Sequence, residues 1–210
     1  MPIKGGAEAK SRLSSLPDVN ALADSFATRT LAAVLACPEV ARVVIVTADE
    51  NWRRSTGERI STVQDPGQGL NAAVCVARDH EVGSKFLVIV PADLPLLDSH
   101  ELATVLQQAR SHARAFVRDK DGTGTTLLTA LDAIDLQPQY GESSAAAHLK
   151  SGAIELSAPR SVRFDVDTLA DLSSISDINS DSNFFFLAFF LCRFFVFGLL
   201  LLCFKLCVLT

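Results

Sequence analysis

Two hydrophobic rhythms alternate along residues 17–172. One is continuous: Val43-Val44-Ile45-Val46 and Phe86-Leu87-Val88-Ile89-Val90-Pro91-Ala92 are unbroken apolar runs rich in β-branched residues. Such runs predict strands buried on both faces, as in a parallel sheet. The other rhythm is helical: Leu22, Phe26, Leu31, Val34 and Leu35 recur over 17–36 and stop near Cys37-Pro38. Helices are also predicted over 70–80, 99–112 and 143–150 and from Thr168, with Ser99 as an N-cap and Glu101 in the first turn after it. Further strands are predicted over 41–47, 61–64, 85–93, 113–118, 127–130, 153–156 and 162–167, while the stretch around Trp52 is short and polar. This alternation predicts one doubly wound α/β domain with a mostly parallel sheet. Such a sheet normally opens with a strand before its first loop; here Met1-Pro2-Ile3-Lys4 offers a stub at most, so the first strand is expected to be truncated.

Composition changes the picture at one end only. From Phe184 to Phe204 the chain is almost wholly apolar and holds nine of its 13 phenylalanines. That length is close to the roughly 20 residues a membrane span needs, although Arg193 sits near its centre. The expected organisation is a domain over residues 1–178 and a Phe/Leu-rich tail over 179–210. The tail reads either as a C-terminal membrane anchor or as a segment foreign to the domain, such as a frameshifted coding end. A net charge of −5 leaves no broad basic surface for nucleic acid. The five cysteines form no CxxC pair, which argues against a zinc site or a disulfide framework. With no secretory signal at the start, a cytoplasmic location is the expectation for the domain, or a membrane-anchored one with a genuine tail.

The candidate chemistry gathers where predicted strands end. Asp93 closes the apolar run Phe86–Ala92 and stands between Pro91 and Pro95, and open α/β sheets bind ligands at the carboxyl ends of their strands. Asp165 and Asp167 alternate with Val166, so an extended backbone puts both carboxylates on one face. With Asp93 they form a hard-oxygen set suited to Mg2+. Lys4, Lys10 and Arg12 flank a glycine pair and can hold a polyphosphate, although the spacing is not that of a Walker A loop. Asp65-Pro66-Gly67-Gln68-Gly69-Leu70-Asn71 leads into a helix whose free amides suit a phosphate or a base edge, and Asn71 can donate and accept together. Gly122-Thr123-Gly124-Thr125 offers hydroxyls and amides to an anion, and Tyr140-Gly141-Glu142-Ser143-Ser144 opens a second helix. His148, on that helix, reads first as a structural histidine. No nucleophile–base pair stands out. A reaction whose attacking group is already an anionic phosphate oxygen needs positioning and charge neutralisation more than a base.

The segments AKSRL (9–13), DPGQGLNAAV (65–74), PADLPLL (91–97), DGTGTTLL (121–128), YGESSAAAH (140–148) and FDVDTLADL (164–172) resemble, in order, the CofC/FbiD guanylyltransferases of coenzyme F(420) biosynthesis. The resemblance implies a GT-A-like (Rossmann-like) nucleotidyltransferase fold. It also implies transfer of GMP from GTP to phosphoenolpyruvate or 2-phospho-L-lactate with release of pyrophosphate. By position, Thr125, Gly141 and Ser144 would hold the phosphorylated acid, and Asp93, Asp165 and Asp167 the Mg2+. Lys10 and Arg12 would surround the triphosphate, with Gly69 and Asn71 on the guanine side. The implied partners are therefore GTP and a phosphorylated three-carbon acid; nothing fixes the oligomeric state. Two other readings stay open: a related nucleotidyltransferase acting on a molybdopterin, and a membrane-tethered, non-catalytic homologue.

Overall fold

The computed structural model describes residues 1–3 and 19–179. Residues up to Thr168 form one compact unit, and helix α7 (Leu169–Asn179) belongs to a second. Within the first unit the strands are β1 (Val43–Thr47), β2 (Ile60–Gln64), β3 (Leu87–Ile89), β4 (Arg114–Arg118), β5 (Thr125–Ala130) and β6 (Ile154–Glu155). The helices are α1 (Val19–Ala36), α2 (Glu50–Arg53), α3 (Leu70–His80), α4 (Ser99–Ala109), α5 (Ser144–Lys150) and α6 (Arg160–Arg163).

The strands form two hydrogen-bonded groups. β1 and β2 pair in parallel, Val43 opposite Ile60 through Thr47 opposite Gln64. Residues 1–3 lie along the other side of β1, also in parallel: Val46 N–H donates to Met1 O at 3.1 Å and Ile3 N–H to Val46 O at 2.9 Å. The second group has the order β3-β5-β4-β6. Here the sheet is mixed, because β5 runs antiparallel to both β3 and β4 while β6 pairs with β4 in parallel. The cause is local. Only residues 119–124 separate β4 from β5, a connection that makes a hairpin, whereas a parallel return needs a crossover of a dozen residues or more.

Alternate side chains leave the strands on opposite faces, and each face has its own core. Met1, Ile3, Val43, Ile45, Val90, Val117 and Leu127 pack on one face with residues of α1, α4 and α6. Leu87, Ile89, Phe116 and Leu128 pack on the other with Val74 of α3 and Ala145 of α5. Burial on both faces is what made the strands read as continuous apolar runs, and the α/β/α layering follows from it.

Several elements depart from the sequence expectation. The run over 85–93 contributes a ladder of only three residues, and its remainder carries the backbone through Pro91, which has no N–H to give, toward Asp93. α4 is capped by Asp98, not Ser99; the Asp98 carboxylate accepts from the N–H of His100 and Glu101, both at 2.9 Å. The strand expected over 162–167 does not form. Residues 160–163 make a turn of helix, and 164–167 run outside any ladder, yet burial still alternates, Phe164 and Val166 inward and the two aspartates less so. The polar stretch around Trp52 holds α2, capped by Asp49. No helix among the described residues is long and apolar enough to cross a membrane. The Phe184–Phe204 segment lies outside them.

Candidate active site

The site is assembled from loops at the ends of β3, β4 and β5. Asp93 is braced from α1: Thr30, fully buried, donates through Oγ1 to Ala92 O at 3.3 Å and accepts from Leu94 N–H at 3.2 Å. Both peptides flanking Asp93 are thereby fixed by one hydroxyl. On its other side Val166 N–H donates to Asp93 O at 3.1 Å, which draws the 164–167 segment alongside. The result is a cluster of like charge. Burial, together with the charges of Asp93 and Asp167, pushes the Asp165 carboxyl up to about 6 against the pull of Lys120, whose Nζ lies 3.0 Å from Asp165 Oδ1.

This cluster tests whether a metal ion fits. Among the described residues no group of three or more histidine, cysteine or carboxylate side chains closes into a metal cage. Mg2+ seldom asks for one, since it commonly takes one or two carboxylates and completes its shell with water and substrate phosphates. The donors are hard oxygens whose mutual repulsion a cation would relieve. On that count the aspartates fit Mg2+.

The glycine–threonine loop is organised by a residue that no motif flagged. The Asp119 carboxylate accepts from the N–H of Thr123 at 3.0 Å and of Gly124 at 2.8 Å. Those two amides are thus spent inside the loop rather than offered to an anion. The close approach requires glycine at 124, where a Cβ would lie 2.3 Å from Asp119 Oδ2. What the loop delivers is Thr125, at the head of β5.

Thr125, Gly141 and Ser144 come together. The Ser144 and Thr125 hydroxyl oxygens lie 3.3 Å apart, within hydrogen-bonding distance, and Ser144 N–H donates to Gly141 O at 3.2 Å. Gly141 has φ 142°, a backbone region that side chains disfavour. Ala145 N–H donates to Thr123 O at 3.0 Å, tying α5 to the glycine–threonine loop. His148 is fully buried beneath this pair, with Nδ1 2.9 Å from Thr125 Oγ1. Tyr140 packs edge-on against the imidazole, ring centroids 5.2 Å apart, and burial raises its phenol above the ordinary range.

Gly69 caps α3 with φ 88°. Asn71 does not stand free: its Nδ2 donates to Tyr140 O at 2.9 Å and its Oδ1 accepts from Tyr140 N–H at 2.8 Å. The side chain ties the start of α3 to the loop that carries Gly141, leaving one N–H and one lone pair for any ligand. Lys10 and Arg12 lie outside the described residues. The sequence reading did not single out Thr30 or Asp119. Asp119 stands among the charged residues Arg118, Lys120 and Asp121 and Thr30 follows Thr28 and Arg29, with no periodic or motif signal to set either apart.

Comparison with known proteins places this geometry. The model of the MobA-like NTP transferase domain matches residues 22–159. The phosphoenolpyruvate guanylyltransferase of Streptomyces coelicolor is 45% identical over 185 residues, covering 83% of this chain and 87% of that one. That of Salinispora arenicola is 43% identical, covering 82% and 84%, and that of Mycolicibacterium smegmatis is 36% identical, covering 78% and 77%. Among solved structures, a chain described as a nucleotide-diphospho-sugar transferase from Desulfovibrio desulfuricans G20 superposes with a TM-score of 0.65 at 16% identity, covering 87% of each chain. The 4-diphosphocytidyl-2C-methyl-D-erythritol synthase of Anaerococcus prevotii gives 0.57 at 10% identity, covering 82% of this chain and 91% of that one. The structural matches speak to fold alone. Identity above 40% across most of both chains speaks to descent, and the chain belongs to the MobA-like NTP transferase family, in its phosphoenolpyruvate guanylyltransferase branch.

Proposed function

We propose that this chain transfers GMP from GTP to phosphoenolpyruvate, releasing pyrophosphate, in the assembly of coenzyme F(420), and that Thr125, Gly141 and Ser144 hold the acid. The observation that carries the reading is the Thr125–Ser144 hydroxyl pair, joined at 3.3 Å at the end of a sheet in a chain whose relatives bear that substrate in their names. Hydroxyls bind phosphate and carboxylate without adding positive charge, which keeps the attacking oxygen nucleophilic.

A phosphate oxygen of the acid attacks the α-phosphorus of GTP. A new P–O bond forms there, the bond to the bridging oxygen of the β-phosphate breaks, and pyrophosphate leaves with the electron pair. The attacker is already an anion, so no general base is required. Asp93, Asp165 and Asp167 would hold Mg2+, which when bound supplies neutralisation of the charge on the phosphates. Lys10 and Arg12 meet the departing pyrophosphate. Gly69 and Asn71 bound the nucleotide side, Asn71 chiefly by fixing the loop it clamps.

The test is pyrophosphate release by the full chain from GTP and Mg2+, with phosphoenolpyruvate and 2-phospho-L-lactate supplied separately. Turnover with phosphoenolpyruvate is expected. Turnover with 2-phospholactate alone would reassign the acid, and none with either by a folded chain would overturn the reading. Asp93→Asn should lower kcat by about 10²-fold or more while leaving the thermal midpoint nearly unchanged. Near-full activity in that variant would remove Asp93 from the metal site.

A further inference from the structure

We propose that His148 is a positioning residue that makes the Thr125–Ser144 hydroxyl pair an obligate donor toward the acid, and so sets the affinity for the acid without touching it. The inference rests on the substrate assignment above.

The hydrogen bonds around the imidazole settle its tautomer. Nε2 lies 2.9 Å from the backbone N–H of Gln139. A peptide N–H can only donate, so Nε2 must be the bare nitrogen. In the neutral ring the proton is then on Nδ1. Nδ1 is 2.9 Å from Thr125 Oγ1, so the ring donates to the hydroxyl, sharing its N–H with the Ser144 carbonyl one turn back on the helix. Ser144 Oγ lies 3.3 Å from the same oxygen. One hydroxyl proton joins the two oxygens, from whichever side, and since the ring gives a proton rather than taking one, the other hydroxyl proton of the pair has to point at a third partner, away from His148. A partner that only accepts, a phosphate or carboxylate oxygen, suits that position; a group arriving with a donor does not.

The surroundings hold the ring in this form. His148 is fully buried between Phe116, at a centroid distance of 5.9 Å, and Tyr140, at 5.2 Å. Burial, helped by the charge of Arg114, lowers its pKa to about 4, so the ring is neutral under ordinary conditions. Protonation would put a second N–H against that of Gln139. A ring that served only to fill the core would need neither polar contact, and an apolar side chain would fill the space as well. The chain of donors from Gln139 through His148 to Thr125 has one direction, and it runs outward.

Two measurements test this. The first is the long-range 15N–1H correlation spectrum of the full chain labelled at histidine, with His148 assigned from the spectrum missing its signals in His148→Phe or in His148→Asn. The Nδ1–H tautomer is expected; an Nε2–H tautomer or an imidazolium overturns the proposal whatever the enzyme's substrate. The second is steady-state kinetics. His148→Phe keeps the ring and removes both nitrogens, and should raise KM for phosphoenolpyruvate at least tenfold while KM for GTP changes less than twofold. His148→Asn, whose amide can donate from near the Nδ1 position, should recover most of the loss. Equal rises in both KM values, or an unchanged KM for the acid, would mean the histidine only fills space. If neither variant folds, the tautomer measurement on the wild type decides by itself, with the His148 signals assigned by through-bond correlation along the labelled chain. Wild-type chain that turns over no phosphorylated acid would sink the substrate reading instead, and leaves the spectrum to judge the histidine.

Discussion

Gly124 shows how much rests on one missing methyl group. Its N–H and that of Thr123 reach the Asp119 carboxylate only because nothing projects from Cα at 124. A Cβ there would meet Asp119 Oδ2 at 2.3 Å, and moving that oxygen away breaks the bonds that shape the loop. Gly124→Ala should cost about 1–3 kcal/mol in a denaturant melt and should raise KM for the acid, because Thr125 is the next residue. His148 offers a second reading at this scale. Its pKa falls from about 6.5 in the unfolded chain to about 4 in the folded one. Between those values the unfolded chain binds more protons, so acidification through this window destabilises the fold, and the loss levels off below it. The stability difference between wild type and His148→Phe should therefore shrink by about 2–3 kcal/mol from pH 7 to pH 4. A constant difference across that range would mean the buried ring does not titrate as its surroundings imply.

Helices and loops meet the site through few contacts, and these carry its geometry. α1 reaches the Asp93 loop through Thr30, whose hydroxyl serves Ala92 O and Leu94 N–H. Thr30→Val keeps the shape and strands a buried N–H, for a cost of about 1–3 kcal/mol. Turnover should fall further than that loss explains, since the Asp93 backbone loses its brace; activity measured well below the melting temperature separates the two effects. This is also the scale at which the sequence was most and least legible. α3 begins and ends where its apolar spacing said, at Leu70 and His80, because burial of one face sets that spacing. The 162–167 segment read as a strand because burial alternates there too, but alternation does not supply a neighbour to pair with. The antiparallel sense of β5 was illegible for a different reason: apolar runs report burial on both faces and say nothing of direction. Thr125, Gly141 and Ser144, singled out together from their motifs, do lie together in the fold, whereas the part played by Thr30 shows only once α1 and the Asp93 loop, some sixty residues on, are seen side by side.

Across the first unit one of the cores, on the α1 and α4 face, binds the two strand groups together. Ile45 of β1 is fully buried in the same cluster as Val117 of β4 and Leu127 of β5. Ile45→Ala should therefore cost about 2–5 kcal/mol, a large share of a typical total of about 5–15 kcal/mol. The slowest-exchanging amides of β4 and β5 should lose protection by the same factor as those of β1. Loss confined to β1 and β2 would show that the two groups unfold separately. The double hydrogen bond between Asn71 and Tyr140 has a reach of its own at this scale. Under the proposed assignment it joins the helix on the nucleotide side to the loop on the acid side, so the two substrates would share one mechanical link. Whatever GTP does to the acid's affinity through that link, the acid must do to GTP's by the same factor, and the enzyme's two ligands are to that extent each other's effectors.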